Sequence, residues 1–175
     1  DYLGVPAPLT LDGYGKVTTD WVQPFVDGKL TLADALVLEI TGGTPNSWIT
    51  GSGVDIGTDA TLLISAGQRV FSIVPLSNDG IFQVGGTLEA SGTMTGSGKL
   101  EVLNGGKLGR LGFYSSDTFT VEPGVSMRDN SALEVLINPG AAAAQKLVAQ
   151  SAFELGPNGV FLNLILEGID TLMPD

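Results

Sequence analysis

Apolar residues cluster along this chain in short runs, and each run stops at a turn. Thr61–Ser65, Val70–Val74, Ile81–Val84, Lys99–Leu103, Phe119–Glu122 and Ala132–Ile137 are rich in β-branched and aliphatic residues, the signature of short strands. Between them stand Asn78-Asp79-Gly80, Gly85-Gly86, Asn104-Gly105-Gly106, Pro123-Gly124 and Pro139-Gly140. Asparagine and glycine tolerate the backbone angles of tight turns, and Pro-Gly suits a type II turn. Two segments read differently: Leu32–Leu38, and Ala141–Gln150 with its opening alanine run, are expected as short helices. From about Trp48 to Ile137 the chain predicts short strands and turns alone.

The turns recur. Gly67, Gly86, Gly106, Gly124 and Gly140 lie 19, 20, 18 and 16 residues apart. Around them runs a loose unit of aliphatic residue, short polar gap, glycine and aliphatic residue, as in Val84-Gly85-Gly86-Thr87-Leu88 and Val102-Leu103-Asn104-Gly105-Gly106-Lys107-Leu108. A fixed period marks one supersecondary unit repeated, which buries its apolar face only by stacking on its neighbours. A period of about 18 residues is too short for a helix pair or a propeller blade and suits one coil of a β-solenoid. Coils stacked about 4.8 Å apart would make roughly nine levels and a rod of about 40 Å. Leu100, Val102 and Leu108 would line the core and Glu101 would point outward.

The fold class expected is therefore all-β: a right-handed parallel β-helix with an irregular N-terminal cap. A β-sandwich with irregular hairpins is the alternative, because glycine-rich turns also punctuate sandwiches. Residues 1–47, where the repeat is not visible, would form the cap or an irregular segment. Residues 48–140 would form the coils, and residues 141–175 the last coils or a capping region of the same domain.

Composition narrows the chemistry. The 175 residues include 25 glycines, no cysteine and no histidine. Disulfide scaffolds, zinc fingers and catalysis by Cys or His are thereby excluded. Eight bases against 19 acids leave a net charge of −11, a poor surface for nucleic acid, whose phosphates need clustered Lys and Arg. No apolar run reaches membrane-spanning length, so this segment is expected not to insert in a membrane. The chain opens at Asp1 without a basic-then-apolar leader, as expected where any signal peptide is removed. Absence of cysteine suits passage through an oxidising compartment.

The glycine and serine punctuation of Gly86–Gly112, GTLEASGTMTGSGKLEVLNGGKLGRLG, resembles that of Gram-negative autotransporter passenger domains. The tail Phe153–Asp175 is similar to the late passenger. The resemblance implies a right-handed parallel β-helix that is displayed at or released from the cell surface. It also implies a link to adhesion and virulence, and a final stretch that helps nucleate folding. The membrane barrel of that family is not in this sequence.

Candidate chemistry is thin. Asp27-Gly28-Lys29-Leu30 with Asp34 echoes half a calcium loop, but the first and third ligand positions are Gln23 and Phe25, which do not supply the required carboxylates. Asp55 with Asp59, and Asp117 with Asp129, are the carboxylate pairs a glycosidase would need; Arg69, Arg110 and Arg128 read as isolated bases. Ser52, Ser97 and Ser151 lack a histidine or a Ser-x-x-Lys partner. Gly-Ser-Gly at 51–53 and 96–98 is not followed by the Lys of a phosphate loop. Asn78, Asn104 and Asn138 could stack as a structural ladder. Thr93-Met94-Thr95 has the look of an ice-binding motif without the repetition one needs. Trp21, Trp48, Phe113 and Tyr114 are the aromatic candidates for a binding surface, with core packing the plainer reading.

No catalytic residue, cofactor or metal is expected. The expected role is non-enzymatic: a secreted or cell-surface structural passenger, outer-membrane associated, acting by display, adhesion or self-association. Its partners would be protein or glycan surfaces or a second copy in a homodimer. A polysaccharide-processing β-helix or phage tail spike is the alternative. The apolar tail Val160–Leu166 would need a cap, a following domain or another copy to cover it.

Overall fold

The computed structural model describes residues 2–24, 28–42, 47–49, 51–109, 118–138 and 143–166. Every regular element among them is a β-strand. The strands fall into three long sheets that wrap one core, each joined almost entirely by parallel pairing between successive coils. The solenoid reading is therefore correct, and the opposed antiparallel sheets of a sandwich are absent among the described residues.

Sheet I stacks Leu9–Leu11, Leu30–Leu32, Val54–Ile56, Leu76–Asn78, Gly92–Thr95, Thr118–Val121 and Lys146–Ala149. Sheet II stacks Gly15–Thr19, Leu36–Ile40, Thr61–Ile64, Ile81–Val84, Lys99–Val102, Gly124–Met127 and Phe153–Leu155. Sheet III stacks Ser47–Ile49, Arg69–Ser72, Thr87–Ala90, Lys107–Gly109 and Ala132–Asn138, against which Phe161–Leu166 lies as the last parallel strand. Ala143–Ala144 folds back antiparallel on the end of Ala132–Asn138. Six successive turns, from the one that opens with Leu30–Leu32 to the one that closes with Phe161–Leu166, supply a strand to all three of these sheets. Ahead of them, Tyr2–Val5 and Trp21–Pro24 form a separate parallel pair, while the strands between already belong to sheets I and II.

Alternation places the core. In sheet II the inward column runs Leu38, Leu62, Phe82, Leu100 and Val125, and beside it runs Ile40, Ile64, Val84, Val102 and Met127. All ten are buried. In sheet III Val70, Leu88 and Leu108 continue the same cluster. Each fully buried Leu or Val contributes about 1.5–3 kcal/mol, so a coil is stable only while the coils above and below cover its column.

Three expectations change. The two expected helices are strands where they are described: Leu36–Ile40 buries every second residue, and Lys146–Ala149 pairs with Thr118–Val121. The open edge of the preceding coil offers those segments a ladder of hydrogen bonds and an apolar groove, which outweigh weak helical propensity. The period is not constant: sheet II strands begin 21, 25, 20, 18, 25 and 29 residues apart. The sheets therefore rise through seven levels, or about 30 Å, rather than nine. Lastly, Glu101 leaves the core as expected, yet it is covered by neighbours in its own sheet.

The glycine corners also prove to be of two kinds. Gly86 and Gly106 stack at the entrance to sheet III, where Lys107 N–H donates to the Gly86 carbonyl at 2.7 Å. A Cβ on Gly106 would sit 2.1 Å from the Val84 carbonyl oxygen, so only glycine lets these backbones meet. Gly124 instead opens a sheet II strand, and Gly67 is a turn tip with φ of 79°. Gly140 lies outside the described residues.

Candidate functional site

The outward faces of the sheets carry ladders of paired charge. Glu39 accepts from the Ser65 hydroxyl at 2.5 Å and is ion-paired with Lys16. Lys16 and then Ser65 hold its carboxyl below the usual range. Glu101 accepts from Gln83 at 3.0 Å and pairs with Arg128. Burial pushes Glu101 up, but Gln83 and Arg128 together pull it below its ordinary value. On sheet III, Glu89 pairs with Arg69, whose guanidinium also lies 4.6 Å from the Phe71 ring centre, and Lys107 pairs with Glu134 at 3.0 Å. Arg69 and Arg128 are thus not isolated bases; each meets a glutamate one coil away.

The sequence candidates scatter. Asp55 projects from sheet I and pairs with Lys29 at 2.7 Å, whereas Asp59 sits in an exposed turn. Asp34 is a turn residue with φ of 53° that accepts from Gly13 N–H at 3.1 Å. Asp27, Phe25, Arg110, Phe113, Tyr114 and Asp117 lie outside the described residues. Gln23, Trp21 and Trp48 lie in described strands, though their side chains do not. Ser97 caps a corner, its N–H and hydroxyl donating to Asp79 at 2.9 and 3.0 Å, which lowers the Asp79 carboxyl. Ser52 and Ser151 are exposed loop residues.

The asparagines do not stack. Asn78 is fully buried beneath Ile56 in the inward column of sheet I, Asn104 is an exposed corner, and Asn138 ends a sheet III strand. Asn78 Nδ2 donates to the Lys99 carbonyl at 3.0 Å, and its Oδ1 has no partner. Met94 points into the core between outward Thr93 and Thr95. Coil stacking sets Thr95 beside Ser77 and Thr93 beside Thr120, so hydroxyls do recur on this face. Asp55 interrupts their row with its ion pair to Lys29.

One groove gathers polar groups. It has a volume of about 280 Å³ and lies between the last two coils, with Asn104, Ser126, Arg128, Asp129 and Glu154 on its walls. Two carboxylates and a base therefore share one cleft, a grouping that no spacing in the sequence announced. Asp129 spends both oxygens on Asn158, accepting from its N–H at 2.9 Å and from Nδ2 at 2.6 Å. The Glu154 side chain is 67% exposed, 4.0 Å from Lys99.

The second notable surface is apolar and closes the stack. Of eleven large apolar side chains exposed among the described residues, seven fall between Val148 and Leu166. Phe153, Leu155, Leu162 and Leu164 continue inward columns, yet they are 40–62% exposed, and no further coil stacks on them among the described residues. Phe153, Leu155, Phe161 and Leu162 with Met127, Leu133 and Val160 line a cavity of about 200 Å³ at this end. The sequence pointed here correctly through the apolar run Val160–Leu166.

No family model matches the chain, and no curated protein or solved structure is similar to it.

Proposed function

We propose that this chain is a structural segment of a secreted or surface-displayed β-solenoid, of the kind found in autotransporter passengers, and that it acts by display, adhesion and self-association. The observation that carries this reading is the end of the stack. A row of core-type leucines and phenylalanines lies open to solvent there, on strands hydrogen-bonded along one edge. Such an edge is a template for pairing with another chain, and an exposed apolar patch of this kind marks an interaction site. Elsewhere the described outward faces carry paired charges and hydroxyls, with the other exposed large apolar side chains, Tyr14, Val17, Ile73 and Ile81, away from this end.

The test is bead clustering. Beads coated with the chain through its N-terminus should aggregate, and soluble chain should block the aggregation. Dispersed beads, together with a single sedimenting monomer over a hundredfold concentration range, would overturn the reading. A polysaccharide-processing role is the second reading, favoured by the shared cleft of Asp129, Glu154 and Arg128. Release of reducing ends from acidic or neutral glycans, abolished by Glu154→Gln, would move the assignment there.

A further inference from the structure

We infer that Asn104-Gly105 is a self-modifying site, where water and the chain's own backbone convert the Asn104 amide to a carboxylate, and that the fold confines the reaction to this corner. This chemistry does not depend on self-association. Glycine has no Cβ to shield its nitrogen, so an asparagine before it is open to cyclisation. The deprotonated Gly105 nitrogen attacks Asn104 Cγ. A C–N bond forms, the Cγ–Nδ2 bond breaks, and ammonia leaves with a proton equivalent to the one Gly105 gave up. Water then opens the five-membered succinimide at either carbonyl. One opening yields aspartate; the other yields isoaspartate, whose backbone is one carbon longer. Water enters and ammonia leaves, with no oxidant or reductant.

The structure sorts the candidate sites by the state of the glycine N–H. Among the described residues the pairs are Asp12-Gly13, Asp79-Gly80, Asn104-Gly105 and Asn158-Gly159. Gly13 N–H donates to the Asp34 carboxylate at 3.1 Å. Gly80 N–H donates to the Ile56 carbonyl, and Gly159 N–H to the Gly156 carbonyl, each at 3.2 Å. Gly105 N–H makes no hydrogen bond among the described residues. The side chains divide the same way. Asp79 accepts from Ser97 twice, and Asn158 is tied to Asp129 through its N–H at 2.9 Å and its Nδ2 at 2.6 Å. Asn104 stands exposed at its corner with no hydrogen bond on its amide. The other described asparagines are closed to the reaction. Asn78 is buried, Asn163 lies within a paired strand, and Asn138 precedes proline, which has no N–H. Asn130 precedes Ser131, whose N–H donates to the Arg128 carbonyl at 3.1 Å.

Position gives the reaction a consequence. Asn104 is on the wall of the groove that holds Asp129, Glu154 and Arg128, so either product adds a third carboxylate there. Isoaspartate does more. Gly106 closes the turn by donating to the Leu103 carbonyl at 2.9 Å, and it lies so near the coil before that a Cβ would sit 2.1 Å from the Val84 carbonyl oxygen. An extra backbone carbon inside this turn pulls it open and pushes Gly106 off that contact. The corner therefore loosens as the molecule ages.

Peptide mass mapping of the folded chain after incubation at mildly alkaline pH tests this, with the chain in urea as reference. In urea, positions 104 and 158 should convert at like rates. In the folded chain position 104 should still convert, and position 158 should fall at least about tenfold behind, because one charge-assisted hydrogen bond is worth that factor. Asp129→Ala should narrow the gap by releasing Asn158, while Asn104→Gln should abolish the main product. The aged chain should also melt below Asn104→Asp, which carries the new charge without the added carbon. Equal conversion at 104 and 158 in the folded chain, or none at 104, would overturn the inference. An aged chain rich in isoaspartate that melts like Asn104→Asp would overturn the loosening of the corner.

Discussion

Single residues in this molecule are constrained mainly by how closely one coil's backbone approaches the next. At Gly106 and Gly98 the limiting atom is a carbonyl oxygen of the preceding coil, 2.1 and 2.2 Å from where a Cβ would be. Neither neighbour can move without breaking a ladder. Gly106→Val should therefore cost about 2–4 kcal/mol, the range of core overpacking with loss of hydrogen bonds. Gly67 differs: nothing lies within 4 Å of its Cβ position, but its φ is 79°. Gly67→Ala should cost only about 1 kcal/mol, the strain of a left-handed residue. Thermal or urea unfolding of the two variants checks the ranking; equal losses would mean that the corner contact is not what holds Gly106. Asn78 marks the other kind of constraint, a polar side chain in an aliphatic column whose Nδ2 donates to the Lys99 carbonyl and the Met94 sulfur while its Oδ1 is idle.

At the scale of the strand, the outward ladders tie stability to pH. Glu39, Asp79 and Glu101 all have carboxyls lowered by their partners. A lowered native value means the folded state binds protons less readily than the unfolded one. The stabilisation is then complete above the ordinary carboxylate range of about 3.9–4.3. It disappears as pH falls through the lowered native values. Melting temperature should be level from pH 7 to about 5 and fall steeply below about 4, and Glu101→Gln should flatten part of that limb. A melting temperature that rises on acidification would contradict the assignment. These ladders also mark where the sequence stops being readable. Six strands were legible because apolar alternation is local. Arg128 and Glu101 are 27 residues apart, and Arg69 and Glu89 are 20 apart; only the coil register makes them neighbours, and that register varies too much to count from glycines. Leu32–Leu38 misled for the same reason. Its leucines fit either spacing, and the coil beneath decides between them. The groove at Arg128, Asp129 and Glu154 depends on two corners meeting and was invisible, whereas Phe161–Leu166 announced itself as an apolar run.

For the whole molecule, each coil is held by its two neighbours, so stability is a sum of adjacent interfaces. Deleting residues 153–175 removes the last described strands of sheets II and III and uncovers Val125 and Met127, each now 1% exposed. The remaining coils should melt at a lower temperature and refold in lower yield. Unchanged unfolding and refolding would refute a nucleating role for the final coils.

The inter-coil ladders run along the stack, and Tyr2 and Leu166 lie in its first and last described coils. Tension between the chain ends therefore loads one coil's bonds at a time, as in a zip rather than a clamp. Each released coil of about 20 residues would lengthen the tether by roughly 70 Å. Stretched between two anchored surfaces, the rod would pay out slack in small steps at modest force instead of failing at once.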